Sequence, residues 1–75
     1  MKVTIEFNLP EESADHHFAI HGKDYWLVAW DVDEWLRRKL KYAVLSDEQY
    51  AAYDACRSML RDCLDAHGVC IDEPA

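Results

Sequence analysis

The residues of this chain best suited to chemistry are three cysteines and four histidines. Cys63 and His67 stand four apart, so on a helix they share a face, with Cys56 and Cys70 seven residues to either side of Cys63. That set has the donor types of a zinc site, but structural zinc sites are usually built on close pairs such as C-x2-C, and no such pair occurs. Cys56 and Cys63 fall in the middle of an apolar stripe, where cysteine behaves as a small hydrophobe. Core filling is therefore the expected role, and no metal or other cofactor is expected. A regulator that binds metal through Cys63, His67 and Cys70 is the weakest of three readings. An odd cysteine count with no paired framework fits reduced thiols. His17 and His21 also make an i, i+4 pair, with His16 alongside, but no third ligand is fixed by spacing.

Asp31, Asp33 and Glu34 crowd into D-V-D-E, yet on a helix Asp33 points away from the other two, which is not a paired acid/base site. Ion pairs within one helix are the simpler expectation: Asp31 and Glu34 with Arg38, and Asp33 with Arg37. Arg37, Arg38, Lys39 and Lys41 could touch phosphate. With only two glycines the chain has no Gly-rich phosphate loop, and it has neither a metalloprotease motif nor a nucleophile beside a base. No enzyme is expected.

Three tryptophans within residues 26–35 raise a different possibility. Trp35 belongs to the main apolar face of its helix, whereas Trp26 and Trp30 lie among charged residues, four apart and on one face. Two readings stand. Either another element of the monomer covers them, or they form an exposed aromatic pair beside Asp33, Arg37 and Lys41. Tryptophan and arginine are the residues that interfaces use as anchors.

The elements that must position these residues follow from periodicity. Residues 2–8 (KVTIEFN) alternate Val3, Ile5 and Phe7 with polar residues, which predicts a short strand. Its mate would be residues 68–72 (GVCID) or the same strand of a second subunit, because a lone strand leaves its backbone unpaired. Pro10, Glu11 and Glu12 suit a first helical turn and Gly22 suits a stop, so a helix is expected over about 10–21. A second helix over 24–42 has Tyr25, Val28, Ala29, Val32, Trp35, Leu36 and Leu40 on one side. A third, over 46–67, opens on a capping box of Ser46 and Gln49, with Leu45 and Tyr50 at hydrophobic-staple spacing. It closes at Gly68, and its stripe is Ala52, Tyr53, Cys56, Met59, Leu60, Cys63, Leu64 and His67. The fold expected is mainly α: one small domain over 1–75 with three helices and a short N-terminal strand. Phe18, Val28, Val32, Trp35, Leu36, Tyr53, Leu60 and Leu64 would form the core, and residues 71–75 a frayed tail.

Composition sets the outer limits. Seventy-five residues make one domain near the size where a single core barely suffices, and 51% hydrophobic residues argue for folding over disorder. The net charge of −7 repels nucleic acid and anionic membrane and favours basic protein surfaces. Residues 46–75 hold most of it, with seven acids against two arginines. No leader peptide and no run of apolar residues long enough to span a membrane is evident, so a cytoplasmic protein is expected.

The segments KVTIEFNLPEE, WDVDEWLRRKLKY and LSDEQY resemble small acidic proteins encoded in tailed-phage and prophage genomes. The resemblance spans about residues 2–68 and contains no catalytic motif, so it transfers no functional residue. It implies a bacterial host and a protein that binds and blocks a host partner. Nucleases and CRISPR effectors, whose DNA channels are basic, are such partners. An acidic helix can compete there because affinity for nucleic acid is mostly phosphate charge. The expectation is thus a non-enzymatic interaction protein, an anti-CRISPR-like inhibitor acting by occlusion or acidic DNA mimicry. The alternative is a structural homodimer or assembly module of a phage complex. The expected partner-binding residues are Trp26, Trp30, Arg37, Lys41, Asp54, Asp62 and Asp65. Asp47 and Glu48 extend the acidic face, and Arg57 and Arg61 interrupt it.

Overall fold

The computed structural model describes residues 1–72, which form two helices, α1 (Ser13–Tyr42) and α2 (Asp47–Ala66), joined by a four-residue turn. So short a connection makes neighbouring helices antiparallel. Three contacts along their length agree: Trp35 meets Tyr53, Asp33 meets Arg57 and Arg61, and Trp26 meets Cys70. The result is an elongated helical hairpin. Its radius of gyration is 16.9 Å, against roughly 11 Å for a compact chain of this length.

This corrects the expected fold in two respects. Among the described residues there is no strand: Val3 and Ile5 are exposed, and neither 68–72 nor any other segment pairs with 2–8. Alternation alone cannot make a strand, because its backbone groups need a neighbouring strand and no described segment supplies one. The two helices expected at 10–21 and 24–42 are one continuous α1. Gly22 does not stop it, since an interior glycine costs only about 1 kcal/mol. Local contacts also span that point: the His17 and His21 rings lie 4.4 Å apart, and His21 Nδ1 lies 2.9 Å from Asp24 Oδ2. Pro10 sits in the turn before the helix, where its carbonyl accepts the Ser13 hydroxyl at 2.6 Å.

The ends of α2 follow the local signals. Ser46 Oγ accepts the Gln49 backbone N–H at 3.2 Å, and Gln49 Oε1 accepts the Ser46 N–H at 3.0 Å, completing the capping box. At the other end Gly68 adopts φ +69°, a left-handed conformation. Its N–H bonds to the Asp65 carbonyl, and the Val69 N–H bonds to the Leu64 carbonyl. That pair is a Schellman turn, and it sends the chain back along the hairpin. Residues 69–72 are therefore docked. Ile71 is buried and Asp72 pairs with Arg61, so these first two positions of the expected frayed tail are held against the hairpin. Residues 73–75 lie outside the described part.

The seam between the helices has a simple register. From α1 come Trp26, Ala29, Asp33, Leu36 and Leu40; from α2 come Tyr53, Arg57, Leu60 and Leu64. Spacings of three and four on both sides are those of ridges-into-grooves packing near 20°. Among the described residues Leu36 and Ile71, each 5% exposed, are the buried apolar side chains, and none is completely buried. Burying each is worth roughly 1.5–3 kcal/mol, which is little against the entropy of ordering two long helices.

The expected core is corrected accordingly. Leu36 is buried and Tyr53, Leu60 and Leu64 are half-buried, but Phe18, Val28, Val32 and Trp35 are exposed. Cys56 and Cys63, expected as core filling, are exposed as well. The expected face of α1 holds two adjacent rows, and the seam uses the one through Ala29, Leu36 and Leu40, one residue later than the row through Val28, Val32 and Trp35.

Candidate interaction surfaces

That one-residue offset organises the whole surface. An α-helix turns 100° per residue, and in an antiparallel pair the residue just before each seam position falls to the same side on both helices. On α1 those residues are Tyr25, Val28, Val32 and Trp35; on α2 they are Ala52, Cys56, Met59 and Cys63. The hairpin thus has one nearly continuous apolar side, extended by Phe18. Three of its members show how open it is: Phe18 is 59% exposed, Val28 63% and Met59 65%. The Trp35 and Tyr53 rings meet edge-on at 5.7 Å, tying this side to the seam, and Cys63 Sγ lies 3.8 Å from Met59 Sδ.

The residues just after each seam position face the opposite way and are mostly polar. Leu27, Trp30, Glu34, Arg37 and Lys41 come from α1, and Asp54, Ser58, Arg61 and Asp65 from α2. Here the expected partner-binding set divides. Arg37, Lys41 and Asp54 line one shallow groove with Leu40, Tyr50 and Arg57. Trp30 stands exposed on the same side of α1. Trp26 is half-buried, and its indole N–H donates to the Cys70 carbonyl at 3.0 Å. It clamps the returning C-terminal segment, so the two tryptophans are not an equivalent exposed pair. Asp62 points outward from α2, and Asp65 lines a small pocket with Val69, Cys70 and Ile71.

Between the two sides, at the centre of the seam, lies the strongest electrostatic feature. Asp33 is 3% exposed. Its Oδ1 accepts from Arg57 Nε and Arg61 Nε, each at 3.1 Å, and its Oδ2 accepts from Arg57 Nη2 at 3.3 Å and Arg61 Nη2 at 3.1 Å. Burial by itself would raise the Asp33 carboxyl. The hydrogen bonds and positive charges of the two guanidinium groups outweigh it and hold the group below the ordinary carboxylate range. Arg61 also reaches Asp72 at 3.4 Å, and these bonds push its already high value further up.

The expected pairing of Asp33 with Arg37 is therefore corrected. Arg37 instead lies 3.7 Å from Glu34, and Asp33 crosses to the other helix. Asp33, Arg57, Arg61 and Asp72 are the residues that sequence reasoning missed as a unit. The signal was present in the matched three–four spacing that puts Asp33 and Arg57 at seam positions of opposite charge.

The remaining sequence candidates disperse. His21 pairs with Asp24, His16 packs its ring on Phe7 at 5.4 Å, and Lys39 Nζ sits 5.3 Å over the Trp35 ring. Among the described residues no three His, Cys, Asp or Glu side chains come together as a metal site, so Cys63, His67 and Cys70 are not gathered. Comparison with protein-family models, characterised proteins and solved structures found no match. Among the described residues no helix is long and apolar enough to cross a membrane.

Proposed function

We propose that this chain acts by binding: it is a non-enzymatic interaction protein that presents the outer surface of α2 to a basic surface on another protein. The observation that carries this reading is the inward turn of Arg57 and Arg61. In sequence they interrupt the acidic face of α2, but both guanidinium groups are spent on Asp33, and Arg61 also on Asp72. Asp47, Glu48, Asp54, Asp62 and Asp65 are left on an exterior where, among the described residues, none has an ion-pair partner. Asp54 shares its groove with Arg37, Lys41 and Arg57, but the other four form an acidic row on a helix, which raises the encounter rate with a basic cleft and selects against acidic partners. The resemblance to small phage accessory proteins supplies the context: a bacterial cytoplasm, and a host nucleoprotein whose nucleic-acid channel would be occluded. Nucleic acid itself is not a ligand in this reading.

The test is an affinity pull-down from bacterial lysate with the wild type and an Asp62→Lys, Asp65→Lys variant, both checked for helicity by circular dichroism. The reading expects a basic protein that the wild type retains at low salt and loses at high salt, and that the variant fails to capture. A captured set that charge reversal leaves unchanged would rule out the acidic surface as the binding element. The second reading, an assembly module, is favoured by the open apolar side of the hairpin.

A further inference from the structure

We infer that the apolar side of the hairpin is closed by a second copy of the same chain, with the two α1 helices antiparallel, so that two hairpins form a four-helix bundle. Area is the first argument. The chain exposes 6427 Å², whereas a folded monomer of this size exposes roughly 4,800 Å². The excess is shared between the extended N-terminal segment and the apolar side. It is of the order that each subunit of an obligate homodimer covers, about 1,000 Å² or more. Two buried apolar side chains do not hold a domain together, so whatever covers this side has to be present whenever the chain folds. A second copy meets that condition by definition.

Shape and pattern set the orientation. At 1.5 Å per residue, α1 with 30 residues outruns α2 with 20 by about 15 Å. The overhang carries Phe18 and Ile20, both exposed, with exposed Tyr25 at its base, and among the described residues no second helix lies beside it. An antiparallel copy places its own two-helix turn end against that overhang; a parallel copy offers it only the other overhang. The exposed row of α1 keeps three–four spacing through Phe18, His21, Tyr25, Val28, Val32, Trp35, Lys39 and Tyr42, long enough for a coiled-coil-like contact. Antiparallel pairing about its middle sets Phe18 opposite Tyr42, Tyr25 opposite Trp35, and Val28 opposite Val32. Large side chains then meet at the ends and valines at the centre.

Charge points the same way. Asp24, Asp31 and Arg38 follow one another at seven-residue intervals along the flank of that row. Parallel pairing would set these residues of the two copies on opposite sides of the contact, where Asp24 and Arg38 could not meet. Antiparallel pairing exchanges Asp24 with Arg38 at both ends and leaves only Asp31 facing itself. The same arrangement buries Cys56, Met59 and Cys63, which explains an apolar row on α2 that the single hairpin leaves exposed. The outward acids of α2 lie on other faces, so loss of self-association and loss of basic-partner binding are separable.

The test is sedimentation equilibrium of the full chain with three rim variants: Asp24→Arg, Arg38→Asp, and the two combined. Because these positions lie at the edge of the contact, the hairpin is expected to stay folded, with helicity as the check. The wild type is expected to be a dimer, each single reversal to weaken it by about tenfold, and the double variant to recover it. Wild type that remains monomeric at ~100 µM, or that assembles beyond a dimer, overturns the proposal. So does a dimer that neither reversal weakens, since parallel α1 helices or another face would then be in contact. A Val28→Glu variant that stays folded and dimeric contradicts it as well.

Discussion

Asp33 and Arg57 face each other across the seam of the hairpin, joined by two hydrogen bonds of 3.1 and 3.3 Å at positions where helical packing usually places leucines. Arg61 adds two more bonds to the same carboxylate. All four terminate on the two oxygens of one buried group, so the register of α1 against α2 is fixed where the acceptors are. A shift of one turn would strand a carboxylate in the seam. Such a pair adds little net stability over apolar side chains of similar size, but breaking it is costly.

Asp33→Asn tests that asymmetry. It removes the charge and keeps the shape, leaving two half-buried guanidinium groups facing a neutral amide. The expected loss is about 2–4 kcal/mol in urea denaturation at fixed protein concentration, with the partly exposed arginines pulling it toward the lower figure. The triple change Asp33→Leu, Arg57→Leu, Arg61→Leu is expected to restore most of it. A single variant as stable as the wild type would mean that the cluster is a solvated ornament.

The depressed Asp33 carboxyl also fixes a pH dependence. Because its folded value lies below the unfolded one, its contribution is fully present above about pH 4, the unfolded carboxylate range. It is lost progressively as pH falls from there through the folded value. The raised Arg61 value adds nothing in the accessible range, since arginine stays charged throughout it. The wild type should therefore lose more stability than Asp33→Asn between pH 6 and pH 3, and the two curves should converge at the acid end. Parallel curves would show that Asp33 is not the group that titrates.

Trp26 offers a test of the returning C-terminal segment. Its indole N–H is the hydrogen bond that ties the Cys70 carbonyl to α1. Trp26→Phe removes the donor, at a cost of about 1 kcal/mol for the bond plus some packing. The informative readout is local: protease cleavage after Val69–Ile71 should accelerate more than global unfolding does. Equal acceleration of both would mean that the segment detaches only when the hairpin itself opens.

Much of α2 was legible because its signals are local. Ser46 and Gln49 read each other three residues apart, and Gly68 follows the last seam residue closely enough to form a Schellman turn. The strand at 2–8 was misread because alternation describes one chain of a pair and says nothing of whether the other exists. The seam was misread for a different reason. Rows through Val28, Val32 and Trp35 and through Ala29, Asp33 and Leu36 lie side by side on one broad face, and hydrophobicity favours the first for the core, although Leu36 belongs to the second. The chain packs the second, where Asp33 meets Arg57, a complementarity that exists between helices and not along either one. Trp26 and Trp30 fall on opposite sides of the same distinction: the first is a seam residue and the second is one step beyond it.

The two glycines turn that lesson into an experiment, since both read equally well as helix stops. Gly22 lies inside α1, and a Cβ placed on it meets nothing within 4 Å. Gly68 lies just past the end of α2 at φ +69°, again with open space around it. With steric clash absent at both, only backbone preference differs. Gly22→Ala gains helix propensity and restricts the unfolded chain, so it is expected to stabilise by roughly 0.5–1 kcal/mol. Gly68→Ala forces a side chain into the left-handed region and should destabilise by about 1 kcal/mol, loosening the turn that docks residues 69–72. Urea midpoints for the two variants should move in opposite directions. If Gly22→Ala destabilises instead, α1 is not continuous in solution, and the break expected from its sequence at residue 22 is real.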